Sequence, residues 1–182
     1  MGMFAGKNMN KRKGGEGGGP YFDKTGWYLV EILRNKQGKT NENIGGKQFF
    51  AAEFKIIEST APERAPGTPC NFFKQVDKYP ESDYGDIADF MRAALCAKLA
   101  EVTKGQVIID PKKVVGTDKD PLDSDETADK FGTDKDETVG VRLRLYAHVK
   151  PQKGDKTKNY TRHYWFVPQA MIDTKAVEKD AE

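Results

Sequence analysis

Residues 83–105 read DYGDIADFMRAALCAKLAEVTKG. Ile87, Phe90, Met91, Ala94, Leu95, Leu99 and Val102 recur at spacings of three and four, which places them along one face of an α-helix. Asp83 reads as the N-cap, Asp86 as its partner three residues on, and Gly105 as the stop. Such a stripe is core packing. This is the clearest helix in the chain, and the segments on both sides of it alternate with a period of two.

Three strands precede it. Gly26–Arg34 carries Trp27, Leu29 and Leu33 on one face and Tyr28, Val30 and Ile32 on the other. A strand apolar on both faces reads as central. Asn35–Gly46 reads as a polar loop, and Lys47–Glu58 as a second strand with Phe50, Ala52, Phe54 and Ile56 on one face. Ala61–Pro69, with three prolines and a glycine, is a connection, and Cys70–Val76 is the third strand. After the helix, Gln106–Asp110 reads as a short extra strand. Thr138–Lys150 is the fourth main strand, with Val139, Val141, Leu143, Leu145, Ala147 and Val149 inward. Pro151–Asn159 is its turn, and Tyr160–Val167 is the fifth strand, ended by Pro168.

Strand, strand, strand, helix, strand, strand is the order of a mainly β, five-stranded OB-like barrel with one helix between strands 3 and 4. The expected organisation is a flexible, basic, Gly-rich arm over 1–20, an OB-like domain over 21–171 and a charged tail over 172–182. The domain includes an acidic loop at 117–137.

Composition narrows the function. The chain has 182 residues, 37% apolar and 32% charged, enough for one modest core with much solvated surface. No apolar run approaches the length of a membrane span or a signal peptide, so a cytoplasmic protein without a membrane partner is expected. Cys70 and Cys96 read as buried, reduced thiols. No P-loop or nucleophile-elbow motif occurs, and His163 has no visible catalytic partner, which argues against an enzyme and implies no cofactor. Thr117–Glu137 holds nine acids and three lysines, a charge of −6 that leaves +8 on the rest of a chain whose net charge is +2. Asp118, Asp120, Asp123 and Asp125 lack the glycine and terminal glutamate of a calcium loop, so no metal is expected and the segment reads as disordered.

The last hairpin is the strongest functional signal. Arg142, Arg144, Lys150, Lys153, Lys156, Lys158 and Arg162 would hold phosphates, and the interleaved Tyr146, Tyr160, Tyr164 and Trp165 would stack on bases. The first hairpin adds Arg34, Lys36, Lys39 and Lys47, which in an OB barrel border the same groove. Phe49, Phe72 and Phe73 are candidates for its floor. Single-stranded DNA is the expected partner, bound without sequence preference. Two other readings use the same residues: a protein-interaction or virion-structural OB module, and an RNA-binding module.

The stretch from Gly26 to Pro168 resembles the OB-fold single-stranded DNA-binding proteins of tailed bacteriophages. The resemblance rests on GWYLVEILRNKQGKT, KQFFAAEFKIIEST, GDIADFMRAAL and VGVRLRLYAHVKPQKGDKTKNYTRHYWFVP. It implies protection of single strands during phage DNA replication or recombination in the host cytoplasm, with replication or recombination proteins as further partners. The C-terminus, AVEKDAE, is acidic but lacks the aromatic end by which bacterial single-strand binders recruit partners.

Overall fold

A computed structural model describes residues 21–42, 45–76, 80–102, 120–152 and 154–182. The expected arm at 1–20, the strand at 106–110, the stop at Gly105 and Lys153 lie outside the described residues. The protein is mainly β. Strands β1 (Gly26–Lys39), β2 (Gln48–Ser59), β3 (Pro69–Gln75), β4 (Arg142–Gln152) and β5 (Asp155–Phe166) are joined by helices α1 (Pro80–Val102), α2 (Asp125–Asp129) and α3 (Thr174–Ala181). All strand pairs are antiparallel, in the order β3-β2-β1-β4-β5.

The sheet does not close into the expected barrel. Its two edges do approach each other: the rings of Phe72 on β3 and Trp165 on β5 are 5.5 Å apart. What separates them is residues 21–22. Tyr21 forms a parallel bridge with Asn71, and the carbonyl of Phe22 accepts a 2.8 Å bond from Thr161 Oγ1. Phe22 is fully buried and packs edge-on against Tyr28 and Trp165. A wedge of that size fills the space a direct β3–β5 ladder needs. Helix α1 packs against β3, β4 and β5 and buries Ile87, Phe90, Met91 and Ala94. It starts at Pro80, before the expected Asp83, because proline suits a first turn whose N–H has no partner anyway.

β1 runs five residues past its expected end. A bulge between Ile32 and Arg34 turns Leu33 out to solvent, and Asn35–Lys39 then pair with Ala52–Gln48. The polar side chains that suggested a loop have partners in the acidic segment. Asn35 Nδ2 donates to Asp136 at 2.9 Å and to Thr138 Oγ1 at 3.0 Å. Gln37 Nε2 donates to the carbonyls of Phe131 and Asp129 at 3.0 and 3.2 Å. Residues 120–137 are therefore docked rather than disordered. Phe131 anchors them in the core beside Phe50 and Phe90. Burial opposes the charge on Asp136, but bonds from the Gly132 N–H, Thr138 and Asn35 outweigh it and hold the carboxyl below its ordinary range.

The inner sheet face is aromatic. Trp165 stacks on Phe54 at 5.5 Å and meets Phe90 edge-on at 5.1 Å. Both cysteines are buried thiols outside any disulfide, and burial pushes the Cys70 thiol up to about 12. His163 lies parallel to Trp165 and edge-on to Phe72. Burial, with a smaller push from Lys74, lowers its imidazole from 6.5 to about 3. Between those two values the unfolded chain takes up a proton that the folded chain refuses, so stability falls as pH falls, by at most about 1.4 kcal/mol per pH unit. Urea unfolding at pH 7 and pH 5 should show this loss in the native protein and a smaller one in His163→Gln. Equal losses in both would exclude His163 as the source.

Candidate nucleic-acid interface

The strand registers fix which side chains share the outer face of the sheet. Following β1, Gly38 sits beside Phe49, and Lys36 beside Ala51 and then Phe73. Arg34 sits beside Glu53 and Asn71, and Glu31 between Lys55 and Arg142. Leu29 lies beside Arg144 and Phe166, and Trp27 beside Tyr146 and Tyr164. The hairpin continues past the start of β1 with His148 beside Arg162 and Lys150 beside Tyr160. The walk from Trp27 to Gly38 covers about 35 Å at the ordinary strand rise.

Aromatic rings occur at both ends of this face. At the β2–β3 end, Phe49 and Phe73 stack at 5.8 Å with 24° between their planes. Phe72, by contrast, faces the core. At the β4–β5 end, Trp27 packs on Tyr146 at 5.0 Å and Tyr146 on Tyr164 at 6.2 Å. Arginines cover two of these rings: Arg144 lies 5.3 Å from the centre of Trp27 and Arg162 lies 5.5 Å from that of Tyr164. At these distances each guanidinium is attracted to the face of its ring.

The hairpin itself is tighter than expected, with Gln152 paired to Asp155 and Gly154 at a φ of 94°, where a side chain would be strained. Lys156 and Lys158 consequently stand on β5 rather than in a loop. Both are exposed, Lys158 with Asp155 at 3.2 Å. Tyr160, at 42% exposure, is the most open of the expected stacking residues.

Two of the expected stacking rings are covered. Trp165, 5% exposed, belongs to the core, because β5 presents its odd-numbered residues inward and its even-numbered residues outward. Tyr146, 6% exposed, faces outward but lies near α3, which folds back over β4 instead of trailing as a loose tail. Trp27 Nε1 donates to Glu178 at 2.8 Å, and Lys150 Nζ donates to a main-chain oxygen of Glu182 at 2.9 Å. Burial, then Glu178 and Glu182, raise the Tyr146 hydroxyl above its ordinary value. Burial, then Lys150, lower His148.

The first-hairpin cations form a separate group. Arg34 pairs with Glu53 at 2.5 Å, and Lys36 is half-buried, with burial and then Arg34 lowering its ammonium. Lys39 is exposed, and Lys47 closes the strand pair through its N–H to Thr40 Oγ1 at 2.8 Å. The β1–β2 tip lies beyond Lys39 while the β4–β5 tip lies beyond Gly26, so the two basic hairpins extend from opposite ends of β1. Trp27 and Phe166 as outer-face rings are the residues sequence reading missed. The alternation of Trp27 with Tyr28 was visible, but both faces of β1 were apolar and neither could be named as outer.

No protein-family model, curated protein or solved structure matches the chain.

Proposed function

We propose that the protein binds single-stranded DNA without sequence preference across the outer face of its sheet, as an open OB-like module. The observation that carries this reading is the outer row of β5 with its β4 neighbours. Tyr160, Arg162, Tyr164 and Phe166 stand beside Lys150, His148, the covered Tyr146 and Arg144, so that flat rings and cations share one face at strand spacing. A single strand offers a base and a phosphate at each step. Rings take the bases at roughly 1–3 kcal/mol each, and cations take the phosphates. At the β2–β3 end the half-buried Phe73, stacked on the buried Phe49 and on the same face as Lys36, extends the same chemistry. The role that follows is to hold and protect single strands during phage DNA replication or recombination.

The test is a fluorescence titration with an oligo(dT) of roughly 20–30 nucleotides at several salt concentrations. Trp27 is the reporter, since Trp165 is buried. Quenching that weakens as salt rises supports the reading. No quenching and no gel shift would leave a protein-interaction module instead. Tighter binding to a matched RNA would reassign the ligand.

A further inference from the structure

Between its two aromatic ends the outer face carries a band that largely neutralises itself. Arg34 Nη2 meets Glu53 at 2.5 Å across the β1–β2 ladder, and Arg142 Nε meets Glu31 at 3.5 Å across the β1–β4 ladder. Both pairs are direct cross-strand neighbours, and Lys55 opposes Glu31 from the other side. Three cations therefore share the band with two carboxylates. The carboxylates are the more sheltered members: the Arg34 and Arg142 side chains are each 55% exposed, those of Glu53 and Glu31 27% and 29%. A strand laid from the Phe49–Phe73 end to the Tyr164 end has to cross this band.

We propose that Glu31 and Glu53 limit the affinity of this face for polyanions. They divide it into two gripping ends and a weakly held middle. The inference rests on the single-strand reading above and adds what sets its strength. Each carboxylate cancels most of the field of one arginine at the position where a phosphate would pass. Exposed pairs of this kind contribute little to folding, so their use lies in the surface potential they set. A face gripped at its ends and loose in the middle holds a strand yet lets other proteins peel it away stepwise.

The experiment compares oligo(dT) binding by the full-length protein with Glu31→Gln, Glu53→Gln and the double variant across a salt series. Glu126→Gln is the control, because Glu126 is exposed on α2, off this face, and its replacement changes net charge equally. Each face variant is expected to tighten binding about threefold and the double variant about tenfold. The salt dependence should steepen by about 0.7 in log–log slope for each cation freed to meet a phosphate. Glu126→Gln should leave both unchanged. Equal tightening by Glu126→Gln would reduce the effect to net charge and overturn the proposal. Weaker binding by the face variants would overturn it too, by making the carboxylates supports for the arginines. Absence of binding by the native protein would overturn the functional reading itself, whereas native binding with flat responses in the variants would overturn only this inference.

Discussion

Trp165→Ala should destabilise the fold by about 3–5 kcal/mol, read as a drop in the urea midpoint. The indole is the junction of the two sheet edges and the helix. It stacks on Phe54 from β2, meets Phe72 from β3 and Phe90 from α1 at 5.5 and 5.1 Å, and receives the edge of Phe22 from the segment that fills the gap between the edges. Removing it leaves a cavity bordered by four phenylalanines on four different elements. No single one of these can move to fill it without leaving its own partners. The loss is a large share of the 5–15 kcal/mol that a domain commonly has. Trp165→Phe keeps a ring in place and should lose less than half as much. A loss below 1 kcal/mol for Trp165→Ala would mean that the indole is not in this core. The same indole reads in the sequence as a base-stacking residue, so oligo(dT) affinity separates the two roles: Trp165→Phe should bind as the native protein does.

How much of this was legible depended on whether a segment's pattern was set by one environment or two. β2 and β4 each have one apolar face, and Phe50, Ala52, Phe54 and Ile56, like Leu143, Leu145 and Ala147, point inward as their alternation required, but β4 starts at Arg142 rather than Thr138, and Val139, expected inward, stands in the preceding turn at 49% exposure. α1 was legible for the same reason. β5 carries large side chains on both faces, and only its register with β4 separates Trp165 from Tyr164. The polar half of β1 reads as loop because Asn35 and Gln37 find their partners about a hundred residues away, in the acidic segment. That segment in turn reads as disordered because its deep anchor among the described residues, Phe131, is a single aromatic among many acids. The tail reads as loose because a docked helix of eight residues has too few positions to show a period. The barrel was expected from element order, which is local information. Closure depends on whether two distant edges pair, and here a residue before the first strand lies between them.

Replacing Arg162 and Tyr164 together by alanine should weaken oligo(dT) binding about a hundredfold while leaving the fold intact. Tyr164 supplies a ring, worth roughly 1–3 kcal/mol for each base it stacks. Arg162, 5.5 Å from the centre of that ring and exposed, supplies a cation that the ring face attracts. The two are not independent. Without Tyr164 the guanidinium loses its support, and without Arg162 the ring loses the charge that brings a strand to it, so their effects should not add. Tyr164→Phe keeps the ring and should retain most of the affinity. Arg162→Lys keeps the charge but not the guanidinium fork and should fall between the native protein and the double variant. The double variant should also show a salt dependence shallower by about 0.7, the share of one phosphate contact. Its urea midpoint should move little, because neither side chain belongs to the buried core. Native affinity in the double variant would move the single strand off β5 altogether. The Phe49–Phe73 pair and the lysines of the first hairpin would then be the surface to test.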